Sequence, residues 1–229
     1  MKLRSLIYTA TLLLTLTFAT SALAGPPLLC HTFDIGDAKS LPWISHNWNL
    51  SGTESYDTKN LSADTLAILN TDSTVIVHME TLRRAALYAQ KDSGAAKQLL
   101  LKLTARANAA DGSSAAIADF DAGYFAATLD QLHWINKEFA NPAQGFDAYA
   151  LVKKALRARP NDAQMNFAAA LVTFDGPISD QREYAQRAIA GAGSNPLLAR
   201  NLATHFIGPQ TETMADMISR NSTTKVARQ

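Results

Sequence analysis

The sequence predicts an all-α protein, and three observations carry the prediction. Alanine dominates a composition with 47% hydrophobic but only 8% aromatic residues, which favours helices packed closely through small side chains. From residue 61 onward apolar residues recur at spacings of three and four, in runs separated by short breaks of Gly, Pro, Asn and Asp. No segment alternates Val, Ile, Thr and Tyr with period two, as a half-buried strand requires. The breaks divide the chain into about nine helices, most of them about 11–14 residues long.

The first element is an address. Lys2 and Arg4 precede the apolar stretch "LIYTATLLLTLTF", and Ala22-Leu23-Ala24 supplies the small residues of a signal-peptidase site, so residues 1–24 read as a signal peptide and the mature chain as starting at Gly25. The apolar stretch is shorter than the ~20 residues of a spanning helix, and no later segment approaches that length, so no integral membrane segment is expected after processing. The expected location is the periplasm or the extracellular space. Removal of Lys2 and Arg4 leaves 19 Lys plus Arg against 20 Asp plus Glu, a balance that attracts neither nucleic acid nor an anionic membrane.

Residues 25–60 form the second element, an extended or turn-rich arm with three prolines, Trp43, Trp48 and no helical periodicity. Its apolar groups, among them Leu28, Leu29, Phe33, Leu41 and Ile44, are too many for a disordered tail. Docking across the first helices of its own body is the expected fate, with a waiting partner as the alternative. Cys30, the single cysteine, excludes an internal disulfide. It is a candidate reactive thiol, a candidate for a disulfide-linked dimer, or, through "PLLC", a departure-ridden match to a lipid-anchor motif in which Leu29 replaces a small residue.

The helical region spans residues 61–221, and 222–229 form a tail. Ser62, Asp72 or Ser73, and Ser113 or Ser114 are the expected caps of its first helices, with Gly94 marking a turn between two of them. A long helix follows from about Ala115 to Phe139. Another starts near Phe146 and ends at Ala158, because Arg159 precedes Pro160 and is pushed out of helical geometry. Asn161 or Asp162 then caps a helix from Ala163, and the apolar stripes of the two face each other. Further breaks fall at Asp175-Gly176-Pro177, at 191–196 and at Gly208-Pro209.

The Pro160 break has a counterpart downstream. "KKALRARPNDAQMNFAAALV" and "QRAIAGAGSNPLLARNLATHF" share a basic residue, small and aliphatic residues, a polar break with Asn and Pro, and a helix carrying Asn166 or Asn201 at matching places. Ala155 to Ala188 is 33 residues and Pro160 to Pro196 is 36, around the period of helix-turn-helix repeats. Residues Ala155, Leu156, Pro160, Asn161, Ala163, Phe167 and Ala168 resemble the junction of tetratricopeptide repeats, over roughly 146–207, although the Trp, Leu-Gly and Tyr signature of a first repeat helix is missing. The whole chain also resembles exported bacterial proteins of this helical kind, which implies no activity. The resemblance implies a short α-solenoid of hairpins, with an irregular compact helical array as the alternative.

Candidate chemistry is sparse. The sequence contains no metalloprotease helix, phosphate loop, nucleophile elbow or zinc-ligand spacing, and His78-Met79-Glu80 lacks a second His at the next turn, so neither cofactor nor metal is expected. Asp119, Asp121 and Asp130 match positions one, three and twelve of a calcium loop, but Tyr124 stands where that loop requires glycine, and a solvated acidic helix face is the competing reading. A solenoid groove binds peptides through aromatic anchors and asparagines, which singles out Trp43, Trp48, Trp134, Asn166 and Asn201. For Trp134, between Leu132 and Ile135, core packing competes, and the asparagines could equally bond within the hairpin. The expectation is a non-enzymatic scaffold binding a peptide or protein partner in the cell envelope. The alternative is an enzyme with a site near Cys30 and His31.

Overall fold

The computed structural model describes residues 26–44, 50, 52–70, 72–173 and 178–205. The signal peptide, Gly25, Trp48, the breaks at 175–177 and 208–209, and the tail lie outside them. Among the described residues there are eight α-helices and no strand: α1 Leu61–Leu69, α2 Val75–Ala89, α3 Ser93–Ala109, α4 Gly112–Ile135, α5 Ala148–Ala158, α6 Ala163–Val172, α7 Ile178–Gly191 and α8 Pro196–Thr204. The all-α class is therefore correct, with one helix fewer in the described residues than the breaks suggested.

Helix starts follow side-chain chemistry only in part. Asp92, Asp147, Asp162 and Asn195 each accept a backbone N–H of the first turn of α3, α5, α6 and α8, satisfying donors that have no intrahelical partner. The expected caps upstream are displaced. α1 follows directly from a 3-10 turn at Thr58–Asn60, α2 starts after Thr74 and α4 after Asp111, none of which caps through its side chain. Ser114 instead donates to the Asp111 carbonyl, and Gly94 sits in the first turn of α3, so the turn falls earlier, at Asp92. α4 ends at Ile135 rather than Phe139, where the Asn136 amide closes on the Leu132 carbonyl. α5 begins at Ala148 rather than Phe146, because Asp147 caps it.

Packing has a regular element. α2 packs on α4, α4 on α6 and α6 on α8, while α3 lies against α2 and α4, α5 against α4 and α6, and α7 against α6 and α8. α5 packs chiefly on α4, and α6 chiefly on α7, so Pro160 separates two hairpins, and the pair it joins is the weaker one. α2 also touches α6, and the buried side chains form one continuous cluster. α4 is buried along most of its length, from Ala116 to Leu132, as expected of a helix apolar on all sides. Gly123 makes this possible on the α5 side: a Cβ there would stand 2.7 Å from the Ala148 carbonyl oxygen and 2.9 Å from the Leu151 Cβ.

Candidate functional site

The arm is part of the fold. Leu28, Leu29, Phe33 and Leu41 are buried in the same cluster as the helices, and burying each such side chain stabilises by about 1.5–3 kcal/mol. An extended chain brings unpaired amides and carbonyls with it, and the body supplies their partners from several helices. Gln131 of α4 accepts the Leu28 amide at 2.9 Å, Glu80 of α2 accepts the Phe33 amide at 3.0 Å, and Arg83 Nε donates to the Leu29 carbonyl at 2.8 Å. Farther along, Arg84 donates to the Leu41 carbonyl at 2.6 Å, and the Tyr88 hydroxyl to that of Pro42. The arm thus crosses α2, α4 and α8, not the first helices alone.

Asn201 of α8 forms the most specific of these grips. Its Oδ1 accepts the Asp34 amide at 2.9 Å and its Nδ2 donates to the Asp34 carbonyl at 2.8 Å, so both backbone groups of one extended residue are read by one fully buried side chain. Arg200 adds a 2.5 Å contact to the Asp34 carboxylate and holds that acid below its ordinary range. Asn166 occupies the matching place in α6 and makes the matching bond one turn back, to the Asp162 carbonyl, as Asn201 does to Leu197. Its other partner is the Pro160 carbonyl of the seam, so it tightens its own helix start and does not face a peptide groove. That departs from the expected binding role.

Beneath the arm lies a buried ionic network. Glu80 and Arg83 are fully buried; Glu80 bonds Arg84 at 2.7 Å and Arg83 at 3.2 Å as well as the Phe33 amide. Trp43 sits half-buried above it, 5.3 Å from the Arg83 guanidinium and 5.9 Å from that of Arg84, a cation–π arrangement. Its ring also meets Tyr88 edge-on. Beside the network, His205 stacks on Phe33 at 4.5 Å and lies 5.2 Å from His31. Burial lowers the His205 pKa to about 3, so its ring is neutral, with Nδ1 donating to the Asn201 carbonyl.

A groove of about 1110 Å³ runs between this arm and the α2 and α8 surfaces, lined by Cys30, His31, Phe33, Trp43, Arg84 and Arg200 among others. Cys30 and His31 are thus neighbours of the groove. Burial pushes the thiol pKa up, outweighing the opposite pull of Arg83, and lowers that of His31, so Cys30 is held as the thiol and not the nucleophilic thiolate. Trp134 lies elsewhere, in the last turn of α4. It is 49% exposed, and Ile135 beside it 40%, so full burial in the core, the competing expectation, does not hold there. Ile44, at the end of the described arm, is 74% exposed.

The expectation of a solvated acidic face on α4 fails for Asp119 and Asp121 and holds for the exposed Asp130. Asp119 and Asp121 are buried and paired, Asp119 with Lys154 and Asp121 with His78 and Arg106, while Asp130 meets Asn141. Three acids with three separate sets of partners do not form a calcium loop. The signal for the burial of Asp119 and Asp121 was present: α4 is apolar on every side, so an acid within it has to be paired. No helix among the described residues is long and apolar enough to cross a membrane. The chain matches no protein-family model, no curated protein and no solved structure.

Proposed function

We propose that this chain is an exported scaffold of the α-solenoid kind that binds a peptide or protein partner in the cell envelope, without catalysis. The observation that carries the reading is the Asn201 clamp on the Asp34 amide and carbonyl, a side-chain grip on extended backbone of the sort by which helical repeats hold peptides. The succession of α2, α4, α6 and α8, with α3, α5 and α7 packed between them, supports the solenoid. In this chain the gripped segment is its own arm, which leaves the groove beside that arm as the recognition surface. Trp43, which lines it, is its aromatic anchor, and the exposed Ile44 follows Trp43 in the chain. The enzyme alternative has weaker support, since burial keeps Cys30 protonated.

The test compares the processed full chain with Ile44→Asp and Trp43→Ala as baits in native envelope extract, with cross-linking from residue 44. Ile44 is exposed, so its substitution leaves the fold intact. The scaffold reading expects a defined protein that is retained by the parent and lost with both variants. Retention of the same proteins by all three baits, or of none by the parent, refutes it.

A further inference from the structure

A second cleft of about 940 Å³, sharing no lining residue with the groove beside the arm, opens where helices begin and end. Its wall includes the starts of α2 at Thr74 and Val75, of α4 at Ser113 and Ser114, and of α6 at Ala163 and Gln164, together with Arg106 and Arg159. Helix starts present amide donors and partial positive charge, but that alone makes no site. Two buried polar side chains of the wall do.

The first is His78, 2% exposed. Its Nδ1 lies 2.7 Å from Asp121 Oδ1, and the other oxygen of Asp121 meets Arg106 at 2.5 Å. A carboxylate paired with a guanidinium is an acceptor, so Nδ1 carries a proton, and in the neutral ring it is then Nε2 that keeps the lone pair. Nε2 makes no bond among the described residues. The second is Gln164, 8% exposed, whose Oε1 accepts the Ile76 amide at 3.1 Å. That bond fixes the amide orientation, so Nε2 is the end free to donate, and it too makes no bond among the described residues.

The cleft therefore combines several donors, which are Gln164 Nε2, the Ser113 hydroxyl and those N–H groups of Arg106 not given to Asp121 and the Leu69 carbonyl, with a buried, oriented acceptor, His78 Nε2. Two acids also line it. Asp162 is committed to the amides of Gln164 and Met165 and to Arg159 at 2.8 Å, and Asp72 is exposed. The geometry points to a binding site for a small oxyanion that carries an O–H of its own, the anionic oxygens taken by the donors and the O–H given to His78 Nε2. Hydrogen phosphate and a hydroxycarboxylate share this chemistry. Sulfate and a simple carboxylate lack the proton and would set an oxygen lone pair against that of Nε2.

The experiment is calorimetric titration of the full chain with inorganic phosphate, lactate, sulfate and propionate at constant ionic strength, alongside spectra of nitrogen-15 histidine-labelled protein. Expected are saturable binding of phosphate or lactate, whichever arm identifies the source, and at least about tenfold weaker binding of sulfate and propionate, a difference of about 1.4 kcal/mol. One histidine, in the Nδ1-protonated form, should shift on binding. Gln164→Met should weaken binding about tenfold, and Ser113→Ala, at an exposed residue, serves the same purpose if the first variant does not fold. Absence of saturation by all four anions overturns the site. So does equal binding of sulfate and phosphate, or affinity unchanged in the folded variant.

Discussion

Replacing Glu80 by Gln keeps the side chain's size and removes its charge, leaving the fully buried Arg83 and Arg84, 16% exposed, without their counter-ion. Breaking a buried pair from one side costs about 3–5 kcal/mol, because the remaining charge stays desolvated. Total stabilities are about 5–15 kcal/mol, so the loss is a large fraction of what holds the chain folded. In a domain of this size it lowers Tm by about 6–20 °C. The assay is thermal and urea unfolding followed by circular dichroism, at low and high salt. Salt should change the loss little, since buried pairs are poorly screened. The double variant Glu80→Leu with Arg83→Met removes both charges and fills similar volume, so it should be more stable than Glu80→Leu alone by about 1 kcal/mol or more. A Glu80→Gln protein within about 0.5 kcal/mol of the parent would refute the argument, as would a double variant no better than the single one.

Other outcomes follow from the same geometry. Asn201→Ala strips Asp34 of both backbone partners and should cost about 2–4 kcal/mol while exposing the arm to limited proteolysis; Asn166→Ala, which touches no arm residue, should leave the proteolytic pattern unchanged. Gly123→Ala drives a methyl into the Ala148 carbonyl and should cost about 1–3 kcal/mol in urea unfolding. His205 is neutral when folded and has its pKa depressed by burial to about 3, so the unfolded chain binds the extra proton. Its contribution is complete above the unfolded value of about 6.5 and is lost as pH falls from there toward the folded value, with a slope of up to about 1.4 kcal/mol per pH unit. His205→Phe should remove that part of the slope between about pH 6 and pH 4, and an unchanged slope counts against a buried neutral ring. Cys30, half-buried and with its pKa raised, should alkylate more slowly at neutral pH than it does after unfolding in urea.

The sequence by itself determined the helical class and most of the helix boundaries from Asp147 onward. Proline restricts the residue before it, and Asp162 satisfies orphan amides beside it in the chain, so both effects act over a few residues and are visible in any stretch that contains them. The matching of Asn166 and Asn201 was legible for the same reason, since each bonds the carbonyl one turn back in its own helix. The second partner of each was not legible. Whether Nδ2 meets the Pro160 seam or an arm residue 167 positions away depends on which chain passes over the helix. Tertiary structure alone decided that Glu80 neutralises Arg83 beneath the arm, that Asp121 orients His78, and that Trp134 stays half-exposed. The physical reason is range: capping and periodicity are properties of neighbouring residues, whereas the state of a buried charge is set by groups that folding brings to it from distant parts of the chain.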